Sequence, residues 1–180
     1  MRNIQGCYSD AFSQHKHVWC LSADCMNERV LMTKVSKDHP VELVVFDFDG
    51  TSISGNSPVL LVRGREVWAV SATFEPIIRQ AMKTHGYTRQ FSTRMKVDDQ
   101  GCYTRTVDGA PVEGKEKLRI VTEKANQMYG EGNWVLLYAY GDHHSDRDLL
   151  AAAENPCAVT PDNPLRRTAN EHGWNILDWK

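Results

Sequence analysis

Asp47 and Asp49 stand two residues apart where an apolar run ends, in VVFDFDGT at positions 44–51. Carboxylates that close together repel, so the pairing points to a cation that both serve. Ser71 and Thr73 follow a second apolar run, EVWAV, and Asp142 and Asp146 follow a third, NWVLLYAYG. Clustered hard oxygen donors suit Mg²⁺, which binds carboxylates, waters and a substrate phosphate. The cation would also relieve the repulsion among the acids. An EF-hand is excluded, because with Asp47 at its first position the required glycine and final acid fall on Ser52 and Pro58.

These residues need elements that carry them to one place. VELVVF (41–46), EVWAVS (66–71), NWVLLYAYG (133–141) and CAVTP (157–161) are short apolar runs, as in strands buried on both faces. Helical patterns lie between them: FEPIIRQAMKTHG (74–86), GKEKLRIVTEKANQMYG (114–130), SDRDLLAAAEN (145–155) and NPLRRTANEHG (163–173), the last followed by a strand in WNILDW. In 89–107, two extended runs flank DDQG and predict a β-hairpin. Strands alternating with helices imply an α/β fold, a mainly parallel sheet in three layers with a small hairpin excursion. In such a sheet ligands bind at the carboxyl ends of the strands, which is where the acids and hydroxyls fall. Residues 1–40 show no sustained period and are expected to form a poorly ordered extension, leaving 41–180 as the core.

FDFDGT, then VSAT, then a lysine in GKEK, then YGDHHSD, in that order, resemble the four motifs of the haloacid dehalogenase superfamily. The likeness is nearest to its phosphoserine-phosphatase-like branch, subfamily IB, and spans about 44–179 with the tail AVTPDNPLRRTANEHGWNILDW. The resemblance implies a Rossmann-like core and a phosphomonoester hydrolase that works through an aspartyl phosphate. It makes Asp47 the nucleophile and Asp49 the acid/base. Asp47, Asp49 and Asp142 would hold Mg²⁺, with Asp146 in support. Ser71, with Ala72 and Thr51, would bind the phosphate, and a lysine would neutralise the transferring group. GKEK offers Lys115 and Lys117; apolar residues at +1, +3 and +4 favour Lys117.

One departure from the branch is plain. Its members carry a helical cap between the first two motifs, whereas here SISGNSPVLLVRGREVWAV is all that joins Thr51 to Ser71. A crossover of about a dozen residues fits that interval and a cap domain does not. The expectation is an open rim, with weak selectivity or a bulky phosphorylated substrate, or else a catalytically poor remnant that binds metal and phosphate with slow turnover.

A net charge of −2 speaks against a nucleic-acid partner, and no apolar run is long enough to span a membrane. Five irregularly spaced cysteines suit reduced thiols and a cytoplasmic setting; oligomerisation is left open. Cys7, His15, His17, Cys20 and Cys25 lack paired C-x2-C spacing and are read as free side chains rather than a zinc site. His143 and His144 are read as solvated, Arg166 and Arg167 as surface charges, Arg94 and Arg105 as hairpin cations, and Trp174 and Trp179 as sheet-edge packing.

Overall fold

The computed structural model describes residues 40–51, 65–85 and 87–178. The expected extension (Pro40 apart) with its cysteines and histidines, most of the link between the first two motifs and Trp179 lie outside the described residues.

Six parallel strands form one sheet in the order β3-β2-β1-β6-β7-β8. They are β1 (Val41–Phe46), β2 (Glu66–Phe74), β3 (Arg89–Thr93), β6 (Trp134–Gly141), β7 (Asn155–Val159) and β8 (Asn175–Leu177). From β1 the chain builds outward through β2 and β3, then crosses back to lay β6, β7 and β8 on the other side. The reversal falls between β1 and β6, which is where an open α/β sheet leaves a crevice for ligands.

Each buried strand is apolar on both faces because helices cover both. Leu43, Val45, Trp68 and Val70 pack beneath α2 (Lys115–Tyr129), α3 (Arg147–Ala151) and α4 (Asn163–His172) through Val121, Ala125, Leu149, Leu150, Leu165 and Ala169. Val44, Phe46, Val67 and Ala69 pack on the opposite face with Ile78 of α1 (Glu75–His85). The three-layer α/β architecture expected from the pattern is therefore present.

β1 and β6 do not pair evenly. Leu43 lies opposite Leu136 but Val44 lies opposite Tyr138, so Leu137 is an extra residue bulged out of β6. Leu136 consequently packs on the α2 face and Tyr138 on the other, although both have even numbers.

Two local expectations need correction. The run at 89–107 is not one hairpin: Arg89–Thr93 joins the main sheet beside β2, and only β4 (Met95–Val97) pairs antiparallel with β5 (Tyr103–Val107). The turn is as expected, with Asp98 Oδ1 accepting from Gln100 N at 3.0 Å and Cys102 N at 2.8 Å. The helix expected at 145–155 is short: a 3₁₀ turn at His144–Asp146 precedes α3, and the chain is already strand at Asn155. Pro156 disfavours helical geometry at Asn155, and pairing of Tyr138 with Asn155 draws that stretch into the sheet.

Candidate active site at the strand rim

Alternation along β1 determines where Asp47 points. Val41, Leu43 and Val45 face the α2 side, and Asp47 continues that parity. Its side chain meets Lys117, from the first turn of α2, at 2.7 Å. Lys117 Nζ also lies 2.5 Å from Asp146 Oδ1. All three are deeply buried, at 4% exposure for Asp47, 3% for Lys117 and 0% for Asp146. Lys115 is exposed. The start of α2 is tied to the sheet where Val112 N donates to Thr93 Oγ1 at 3.0 Å.

Asp142 follows β6 and completes the group, with carboxylate oxygens of Asp47, Asp142 and Asp146 within 4.8 Å of one another. Buried Thr51 donates to Asp142 Oδ1 at 3.2 Å. Two glycines make room. Gly50 has φ +69°, and a Cβ there would lie 1.9 Å from Asp142 Oδ2; a Cβ at Gly141 would lie 2.7 Å from Asp146. Sequence reasoning did not single out either glycine, because the need for them arises from contacts across the sheet.

The remaining predicted residues lie along the same rim. Ser71 is fully buried, and its Oγ accepts from Thr73 N at 3.0 Å. Thr73 donates to exposed Asp49, and Ala72 is exposed. A separate cleft of about 370 Å³ between the hairpin and α2, lined by Gln90, Arg94, Asp108 and Arg119 among others, includes none of these residues.

The buried cluster carries an excess of negative charge. Among the described residues three carboxylates face the single ammonium of Lys117, a formal balance of −3 + 1 = −2. Burial and the Asp146 charge push the Asp47 carboxyl up to about 8 despite Lys117, with Asp142 adding to the rise. Burial and Asp146 raise Asp142 as well. For Lys117 burial opposes the charged form, but Asp47 and Asp146 together outweigh it and hold the amine above its usual value. A divalent cation would cancel the −2, and the donors are hard oxygens, so the residues fit Mg²⁺.

Other side chains singled out in the sequence lie off the rim. Arg94 pairs with Asp108 at 3.8 Å, Arg105 and Arg167 are exposed, and Trp174 packs against the core. Arg166 holds Asp178 at 2.5 Å. His143 and His144 are exposed as expected, yet both approach Asp162, a residue the sequence reading passed over.

Comparison with known proteins comes to the same fold. The family model described as haloacid dehalogenase-like hydrolase matches residues 59–151. That span includes Ser71, Lys117, Asp142 and Asp146, while Asp47 and Asp49 lie ahead of it. An "Inhibition of morphological differentiation protein" of Streptomyces azureus is 35% identical over 117 residues, 64% of this chain and 41% of that one. A histidinol-phosphatase of Neisseria meningitidis is 30% identical over 123 residues, 65% of this chain and 53% of its own. The chain thus spans about half or less of the length of these relatives. A crystal structure of a Bordetella pertussis protein of unknown function superposes with a TM-score of 0.59 at 28% identity, covering 64% of this chain and 52% of that one. An apo phosphoserine phosphatase shares the fold with a TM-score of 0.51 at 23% identity, covering 65% and 55%.

Proposed function

Because the chain belongs to the haloacid dehalogenase-like hydrolases, we propose that it is a Mg²⁺-dependent phosphomonoester hydrolase with Asp47 as nucleophile. The observation that carries this reading is the buried Asp47–Lys117–Asp146 triad beside Asp142. An ionised Asp47 attacks phosphorus, the bond to the leaving oxygen breaks, and an aspartyl phosphate forms on Asp47. Asp49 protonates the departing oxygen and then takes a proton from the water that hydrolyses the acyl phosphate. Its exposed position beside Thr73 suits a group that must trade protons with substrate and solvent.

Lys117 stabilises negative charge on both Asp47 and the transferring group, in a site where burial strengthens each interaction. Asp47, Asp142 and the Asp49 backbone carbonyl would hold Mg²⁺, which supplies charge neutralisation for phosphate and nucleophile. Asp146 anchors Lys117, and Ser71, Ala72 and Thr51 line the phosphate side.

Exposure of Asp49 and Ala72 supports an open rim and a bulky phosphorylated substrate. Strong preference for a small phosphomonoester over large ones in steady-state assays would overturn that part. The short interval between Thr51 and Ser71 also favours a second reading, a remnant that binds metal and phosphate but turns over slowly. Mg²⁺-dependent phosphate release separates the two. The hydrolase reading expects Asp47→Asn to lose at least about 10⁴-fold in kcat, as removal of a nucleophile does elsewhere. Equal rates for wild type and variant would leave the remnant.

A further inference from the structure

We propose that His143, His144 and Asp162 form a second metal site, selective for Zn²⁺ or a similar imidazole-binding cation, at the outer edge of the rim. It is independent of the hydrolase reading. His144 Nδ1 lies 3.0 Å and His143 Nε2 3.6 Å from the same oxygen, Asp162 Oδ2. One ligand atom from each residue falls within a 4.8 Å span. A tetrahedral Zn²⁺ with bonds of about 2.0–2.1 Å sets its ligand atoms roughly 3.3 Å apart, midway between those two distances. The imidazole rings are already paired, with centroids 4.1 Å apart, and both are exposed, so a small rotation closes the set.

The supports around the ligands are in place too. Asp162 Oδ1 accepts from Leu165 N at 2.7 Å, which fixes the carboxylate and turns Oδ2 towards the rings. Asp162 N donates to Asp142 O at 2.8 Å, holding the β7–α4 connection against the β6 loop. Ser145 flanks His143 Nδ1, its N donating at 3.3 Å and its Oγ lying 3.0 Å away, so that Nε2 is the nitrogen turned to Asp162. Such outer partners orient metal-bound histidines and raise their affinity.

Donor chemistry separates the two centres. Two imidazoles and one carboxylate suit Zn²⁺, Cu²⁺ or Ni²⁺, whereas the three carboxylates of the inner cluster suit Mg²⁺. Three protein ligands leave a fourth position for water or an oxygen of a bound phosphate.

The test is titration of the full chain with Zn²⁺ against a chromophoric chelator, in saturating Mg²⁺. The expected result is a Zn²⁺ equivalent that His144→Ala weakens by more than the roughly 10–100-fold that loss of an outer partner costs. His143→Ala should do the same, and both variants should keep the wild-type circular dichroism, with melting temperatures only slightly lowered by the lost contacts to Ser145 and Asp162. Zinc-edge X-ray absorption should then show nitrogen and oxygen donors without sulfur. Failure of wild type to bind, unchanged affinity in both variants, or sulfur in the shell would each overturn the proposal, the last by placing the metal on cysteines.

Discussion

Two acid-centred clusters share the loop from Asp142 to Asp146, one beneath it and one outside it. Beneath, Asp47 and Asp142 are crowded by each other and by Asp146, and burial drives their carboxyls upward, Asp47 to about 8. Outside, partial burial pushes the Asp162 carboxyl up, but the Leu165 amide and His144 together outweigh it and hold the carboxyl below the usual range. The side chain is the same in both places and its displacement is opposite. What differs is the setting: the outer acid accepts from backbone amides and lies beside two imidazoles, while Asp47 and Asp146 meet at Lys117 and Asp142 accepts from Thr51. The inner acids therefore call for a hard cation, and the outer acid, beside two imidazoles, offers a ligand to a softer one.

The strongest way to break this contrast is to remove the inner lysine. Lys117→Met should cost about 3–5 kcal/mol, the usual penalty for stranding buried charge. Urea midpoints in EDTA would show it, and a loss under 1 kcal/mol would mean that the inner acids are not crowded. Gly50→Ala should come next, because a methyl there strikes Asp142 and the left-handed backbone adds strain. A loss of about 1–3 kcal/mol is expected, with Mg²⁺ affinity falling alongside; a variant that binds Mg²⁺ like wild type would show that Asp142 can retreat.

The pH dependence should separate the clusters by sign. Asp47 is raised when folded, so its contribution is fully present below about 4 and is lost as pH climbs through about 8. Metal-free protein should weaken across that window by at most about 1.4 kcal/mol per pH unit for each proton, and Mg²⁺ should flatten the slope. Asp162, being lowered, contributes above about 4 and loses that contribution in acid. Stability of EDTA-treated protein that rises from pH 5 to 8 would contradict the inner-cluster account. The smallest effect should be Asp162→Ala, about 1 kcal/mol for a lost helix cap, with Mg²⁺ affinity unchanged in calorimetry.

The same division explains what could be read from sequence. Asp47 and Asp142 were legible because each ends a buried apolar strand, and strand ends in a parallel sheet converge. Lys117 was legible as one of two lysines, and it is the buried one, in contact with Asp47. Asp162 was not legible, since its tie to Asp142 depends on β7 lying beside β6. Nor was the role of Arg89–Thr93: its half-polar pattern reads equally as hairpin or sheet edge, and only pairing with β2 distinguishes them. AAAEN invites a longer helix than α3, until the ladder to β6 claims Asn155.

The bulge at Leu137 has a further consequence. β6 is in effect two short strands of opposite parity spliced at one residue. Before the splice even positions face α2; after it odd positions do, which is why Gly141 is the residue that opposes Asp146. Because the phase is reset there, side chains in the front half, Trp134 to Leu136, can be exchanged for packing without turning the rear half over. The hydrophobic anchor of β6 and the aim of its carboxyl end are separable modules within a single strand.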